Sequence, residues 1–454
     1  MQRMRGSIWR AALRPLRRTL MRLDTPWRHL VVAAAVGALG ALAVAAFRQA
    51  LYALETLLVG ASGGHLVAAA QKLPFDTRML APALGGLAAG LLLWFAERGR
   101  AAAPPGAALR HGGDYIEAVA IGNGRLDLRG GLLKVAASML VVSTGGAVGR
   151  EGAMVLLAAM LASVLGRVFG RSADLRLVVS CGAAAGLAAA YHAPLAGALF
   201  VAEILLGSLA LAQLGPVVVA AVMAFGVSVS LGERSVLFPV ATVSPPDLAQ
   251  VGLVLMLSVA GGVFGAALLC WLRFSRSLFA RSRLPLPAAF ALGGLMVGVL
   301  SLWRPEVWGN GYSSIQAQLT SPAAWSVVAL VLALKLLAIA ATTGSGAPGG
   351  VFTPTLFAGA AVGALAASAL AGLGATAAPE PLYAVLGMAV LLAATTHAPV
   401  MSALMVFEMT GQYALLPLLL PACVIAALVS RRFAPLSVYG LGGPGESDRS
   451  GPRG

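Results

Sequence analysis

Residues 191–203 read Tyr191-His192-Ala193-Pro194-Leu195-Ala196-Gly197-Ala198-Leu199-Phe200-Val201-Ala202-Glu203. Residues 396–408 read Thr396-His397-Ala398-Pro399-Val400-Met401-Ser402-Ala403-Leu404-Met405-Val406-Phe407-Glu408. Seven of the thirteen aligned positions are identical. A glycine-rich break that opens a helix lies upstream of each copy: Gly149-Arg150-Glu151-Gly152 before the first, Gly349-Gly350-Val351-Phe352-Thr353-Pro354 before the second. The chain thus runs twice through one order: glycine-rich helix start, second helix, His-Ala-Pro, apolar helix ending in glutamate. Paired halves with matched helix breaks point to a site at their interface. The pattern alone leaves open whether the halves are inverted.

Of the 454 residues, 59% are hydrophobic and 11% charged. Apolar runs recur from Leu30 to Ser430, among them 30–58, 77–96, 153–169, 194–212, 249–272 and 413–430. This predicts an all-α polytopic membrane protein. A membrane barrel would need polar/apolar alternation, which the runs lack. Several runs are too short to cross a bilayer of roughly 30 Å alone. Such glycine-interrupted segments mark broken helices meeting near the midplane.

The net charge of +15 comes mostly from arginine. The arginines gather in gaps between apolar runs, which argues against nucleic acid and, by the positive-inside rule, places those gaps and both termini on the cytoplasmic side. The expected organisation is a basic cytoplasmic segment over 1–29, a first membrane repeat over 30–232 and an external linker over 233–248. A second repeat with a terminal pore segment covers 249–439, and a disordered cytoplasmic tail 440–454. A partly amphipathic interfacial helix is expected near 7–22. Cys181, Cys270 and Cys423 are scattered in apolar segments and read as buried structural thiols. No metal spacing or cofactor is suggested.

Glu151 sits at a helix start inside apolar sequence, where an ionisable residue is a functional hypothesis by default. Helix starts favour anions, so Gly149-Arg150-Glu151-Gly152 proposes an anion site with a carboxylate standing in it. In the second break the amides of Val351 and Phe352 can hold an anion without a full positive charge, and Pro354 suits the first turn. Binding of that strength admits an ion and still releases it.

These stretches, with the tyrosine of Pro435-Leu436-Ser437-Val438-Tyr439, resemble the signatures of the CLC chloride channel/transporter family over about residues 30–440. Trp308-Gly309-Asn310-Gly311-Tyr312 and Ala393-Ala394-Thr395-Thr396-His397-Ala398-Pro399 resemble a bacterial voltage-gated channel branch of that family. The resemblance implies a CLC-type fold of two inverted helical repeats meeting at a midplane anion site, a homodimer, and one pathway per subunit in the bacterial cytoplasmic membrane. It implies a gating role for Glu151 and a central anion held by Val351, Phe352 and Tyr439. A carboxylate is itself an anion and can block such a site. Burial favours its neutral form and helix amides its charged form, so opening is expected to be acid-sensitive. The resemblance also implies an electrical-shunt role linked to acid resistance.

Two departures matter. The family's first anion motif carries a serine and a proline; here the segment is Arg110-His111-Gly112-Gly113-Asp114-Tyr115-Ile116-Glu117. Gly112 and Gly113 can still supply amides, and Asp114 can cap the helix, but selectivity for chloride over other small anions is left open. The proton-relay position of the family's antiporters falls on Ile204, with Glu203 just before it. Isoleucine cannot relay a proton, which favours passive conduction; chloride/proton exchange through Glu203 or another acid is the second reading.

Lys134, 17 residues before Glu151, resembles a family lysine that adds positive potential near the pathway. Lys335 is expected to snorkel to the interface. His192 and His397 fit helix-start packing better than metal binding. Gly60-Ala61-Ser62-Gly63, near His65, resembles the nucleophile motif of rhomboid intramembrane serine proteases, but it falls in a loop and a catalytic histidine needs a separate helix. The chain is therefore read as a transport protein rather than an enzyme.

Overall fold

The computed structural model describes residues 24–61, 65–98, 115–120, 124–169, 175–207, 211–233, 236–240, 248–321, 323–372 and 380–442. The interfacial helix expected near 7–22, the glycines Gly112 and Gly113 with Asp114, the pair Ser62-Gly63 and most of the C-terminal tail lie outside the described residues.

The first repeat comprises α1 (Thr25–Val59), α2 (Leu66–Lys72), α3 (Phe75–Arg98), α4 (Tyr115–Ala120), α5 (Leu128–Ser143), α6 (Glu151–Phe169), α7 (Leu175–Tyr191), α8 (Pro194–Phe200) and α9 (Leu211–Ser230). The second comprises α10 (Leu248–Ser282), α11 (Leu286–Ser301), α12 (Tyr312–Thr320), α13 (Trp325–Gly344), α14 (Phe352–Gly372), α15 (Glu380–Thr396), α16 (Pro399–Thr410) and α17 (Leu416–Phe433). Seven helical stretches among the described residues are long and apolar enough to cross a membrane. Helices α7, α8, α11, α15 and α16 are shorter and apolar.

The packing repeats as the sequence does. Helix α1 packs on α7 and α9 as α10 packs on α15 and α17, and the α6–α7 pair recurs as α14–α15. Between the repeats, α3 lies against α11 and α8 against α16. Gly86 abuts Phe290, Gly90 abuts Pro287, Gly294 abuts Pro82 and Gly298 abuts Met79, so numbers rise along α3 as they fall along α11. A β-carbon at any of these glycines would strike the partner's backbone. Small residues four apart let two membrane helices approach this closely.

Helices α8 and α16 bind each other reciprocally. The Glu203 carboxylate accepts from the amides of Val400 and Met401 at 3.3 and 2.8 Å. The Glu408 carboxylate accepts from those of Leu195 and Ala196 at 3.0 and 2.9 Å. Each glutamate, at one helix's C-terminal end, satisfies orphan amides at the other's start. Equivalent helices therefore run antiparallel, and the repeats are inverted.

Three sequence expectations shift. Helix α1 begins at Thr25, inside the segment read as basic and non-membrane, because a proline in the first turn starts it early; Arg28 is buried within it. The apolar run 194–212 is broken: α8 continues as a π-helical turn over Val201–Leu206 and stops at Gly207, which takes the left-handed conformation. Cys270 is exposed, whereas Cys181 and Cys423 are buried as expected.

Candidate anion site

The two glycine-rich breaks are tied to each other. Gly149 donates to the Gly350 carbonyl at 2.6 Å and Gly350 to the Gly149 carbonyl at 2.7 Å, forming one antiparallel bridge. The bridge sets the starts of α6 and α14 side by side. The first amides of each have no partner within their own helix, so two positive helix ends converge. Gly145 and Gly346, at φ 103° and 87°, make equivalent left-handed turns ahead of the bridge.

Glu151 is the first residue of α6 and is 2% exposed. Its Oε1 accepts from Asn310 Nδ2 at 3.1 Å. Its Oε2 lies against Gly149, where a β-carbon would collide with it, and has no hydrogen-bond partner among the described residues. Two cavities flank this carboxylate. One, of about 440 Å³, is lined by Lys134, Gly152, Arg276, Gly350, Val351 and Tyr439 among others. The other, of about 570 Å³, is lined by residues that include Glu55, Arg150, Trp308, Asn310 and Tyr312. Glu151 lines neither cavity. It stands between Gly152 on the first and Arg150 and Asn310 on the second.

The candidate residues thus divide. Gly152, Val351, Tyr439 and Lys134 gather on the first cavity, with Arg276 adding a second cation. The Tyr439 ring meets Phe200 edge-on at 5.7 Å. Tyr115, the first described residue after the altered glycine motif, lines the same cavity. Phe352 is buried at the start of α14 with its ring 4.9 Å from that of Tyr191. Gly149 is held in the bridge. Arg150 belongs to the second cavity, its guanidinium over the rings of Tyr52 and Tyr312 at 5.4 and 5.5 Å.

Glu203 and Ile204 line neither cavity. Glu203 is engaged in capping α16, and Ile204 packs against the apolar core. His192 and His397 sit in the left-handed conformation, φ 56° and 60°, between paired helices. A helix-terminating residue there is usually glycine; histidine is an uncommon substitute. His192 Nε2 also pairs with Glu233 at 2.7 Å, and Glu233 with Arg48. Gly60 is accounted for as the left-handed cap of α1, its amide bonded to the Thr56 carbonyl.

Lys335 overturns the snorkelling expectation. It is fully buried, and its Nζ donates to the carbonyls of Val307, Trp308 and Gly309 at 2.7, 3.1 and 2.6 Å. It holds the loop that presents Asn310. Lys335 precedes Phe352 by 17 residues, as Lys134 precedes Glu151. That equivalence was available in the sequence as a repeat position, and so was the Trp308–Tyr312 stretch as a motif. The roles of Asn310, Lys335 and the Tyr191 hydroxyl, bonded to Thr353 Oγ1 at 2.9 Å, were not.

Inverted repeats, short broken helices and two helix starts meeting at a buried carboxylate between cavities define a membrane protein built for ion passage. The profile of the voltage gated chloride channel family matches residues 101–431. The chain is similar to the voltage-gated ClC-type chloride channel ClcB of Salmonella typhi, 47% identical over 416 residues that cover 91% of this chain and 98% of the relative. Its similarity to ClcB of Escherichia coli O9:H4 is 47% over 420 residues, covering the same shares. Among solved structures it resembles a slow cyanobacterial Cl⁻/H⁺ antiporter, with TM-score 0.78 and 24% identity over 92% of this chain and 97% of that one. It also resembles a CLC-type fluoride/proton antiporter, with TM-score 0.74 and 22% identity over 93% of this chain and all of that one. The chain is a bacterial ClcB-like member of the CLC family of chloride channels and transporters.

Proposed function

We propose that the protein is a chloride channel in which Glu151 is the gate. The observation that carries this reading is the position of the Glu151 carboxylate between two cavities that it lines on neither side. In that pose it occupies the meeting point of two helix starts, where an anion is favoured. Chloride would wait in the first cavity against Val351, Phe352 and Tyr439, under the positive potential of Lys134. Gly112 and Gly113 are proposed as further amide donors, Gly149 and Arg150 as parts of the entry. Protonation or an outward swing of Glu151 opens the way.

Passive conduction is favoured over exchange because the relay position is Ile204 and Glu203 is spent on the amides of Val400 and Met401. Relatives at 47% identity are named as channels. The antiporter structures favour chloride/proton exchange as the second reading. The protein is proposed to work as a homodimer in the bacterial cytoplasmic membrane with both termini cytoplasmic, a reading supported by the arginine-rich gaps between apolar runs. It would offset charge moved by other transporters, a service useful under acid stress.

Glu151→Gln removes the charge and keeps the shape. Chloride flux from liposomes at neutral pH should then rise to the acid level of the parent and lose its pH dependence. Unchanged, pH-dependent flux would dismiss Glu151 as the gate.

A further inference from the structure

Asn310 is the only side chain that hydrogen-bonds the Glu151 carboxylate among the described residues. Its orientation is fixed from both sides. Its Oδ1 accepts from the Tyr312 amide at 3.3 Å, which directs Nδ2 toward Glu151. The loop that carries it is bent by two left-handed glycines, Gly309 at φ 67° and Gly311 at φ 99°. The Gly309 amide donates to the Gly145 carbonyl, in the turn just ahead of the Glu151 helix. Trp308 is fully buried over Gly145. Lys335 ties down the carbonyls of the same loop. A donor held this firmly costs little further entropy when it bonds a carboxylate.

We infer that Asn310 is a latch that holds the Glu151 gate in its blocking pose, with Lys335 as the positioning residue for the loop that carries it. This rests on the gate reading of Glu151 and adds a second residue to it. The latch grips the charged carboxylate: an amide N–H donates to either protonation state, but the bond to a carboxylate is the stronger. It lines the second cavity and is reachable from it. A proton arriving by that cavity would therefore weaken the bond and release the gate.

Other charged or titratable groups face the same point. Arg150 adjoins Glu151 and faces Tyr52 and Glu55 of α1; Tyr191 comes from α7 and Tyr312 from α12. Arg150 is the cation among them, and its guanidinium lies over two tyrosine rings. The short-range grip on the carboxylate falls to Asn310.

Asn310→Leu keeps the volume and removes the donor; Asn310→Gln keeps a donor on a longer arm. Chloride efflux from liposomes is measured against pH for both, and for Asn310→Leu combined with Glu151→Gln. Asn310→Leu should raise efflux at neutral pH about tenfold and move the half-maximal pH up by about one unit, the size of one charge-assisted hydrogen bond. Asn310→Gln should lie between it and the parent. The combined variant should match Glu151→Gln alone, which also shows that the pathway is intact. A parental pH profile for Asn310→Leu, with Glu151→Gln open, would overturn the latch and leave the gate standing. Extra or lost efflux in the combined variant would also overturn it, because the loop would then act on the pathway itself. No effect of Glu151→Gln would remove the gate reading and the latch with it.

Discussion

The residues that matter most in this molecule are charges placed where charges are expensive, and each is explained by what it touches. Lys335 is buried among four carbonyls, and its Nζ is the donor that ties down the loop 306–309. Lys335→Met would leave at least three buried carbonyls without their donor, at about 1–3 kcal/mol each before relaxation. Its melting temperature in detergent should fall well below the parent's, and an unchanged melt would show that water replaces the ammonium. Glu233 gives a pH-dependent counterpart outside the spans. Burial pushes its carboxyl up, but hydrogen bonds and charges from His192 and Arg48 outweigh it and hold Glu233 below its ordinary 4.5. A depressed carboxyl stabilises the fold above that value and loses its contribution as pH falls through the folded value. The melting difference between parent and Glu233→Gln should be widest at neutral pH and close on acidification below about 4.5. A difference that grew with acid would reverse the assignment.

At the scale of elements, the sequence carried a great deal. The thirteen-residue repeat and its two glycine-rich breaks announced the paired helices α8 and α16 and the junction of α6 with α14. Their hand of relation was not legible, because antiparallel and parallel repeats share one hydrophobic pattern; it needed the Glu203 and Glu408 contacts. Glu203 shows the limit in physical terms. A glutamate ending an apolar helix reads equally as a proton carrier or a cap, and only the amides of Val400 and Met401 decide how it is engaged. Lys335 failed for the same reason: a lysine in an apolar run looks alike whether it reaches water or backbone carbonyls. Glu203→Gln tests the cap. It should keep chloride flux within about twofold of the parent while lowering stability by about 1 kcal/mol, since a neutral amide caps orphan amides less well than a carboxylate. Changed proton movement in that variant would instead make Glu203 a relay.

For the whole molecule, inversion gives the two breaks different jobs from one plan. One start carries Glu151, the proposed gate, and the other carries Phe352 at the equivalent place, a bare helix end. The equivalent lysines divide likewise: Lys134 faces a cavity and Lys335 supports the loop beside Glu151. With Ile204 and Glu203 lining neither cavity, the proposed function is passive chloride passage controlled at a single carboxylate. The direct test is chloride and proton flux recorded together from one reconstituted preparation of the unaltered protein under an imposed chloride gradient. The account predicts chloride flux that increases with acidity and no proton movement beyond the electrical leak. Protons driven uphill in fixed proportion to chloride would contradict it.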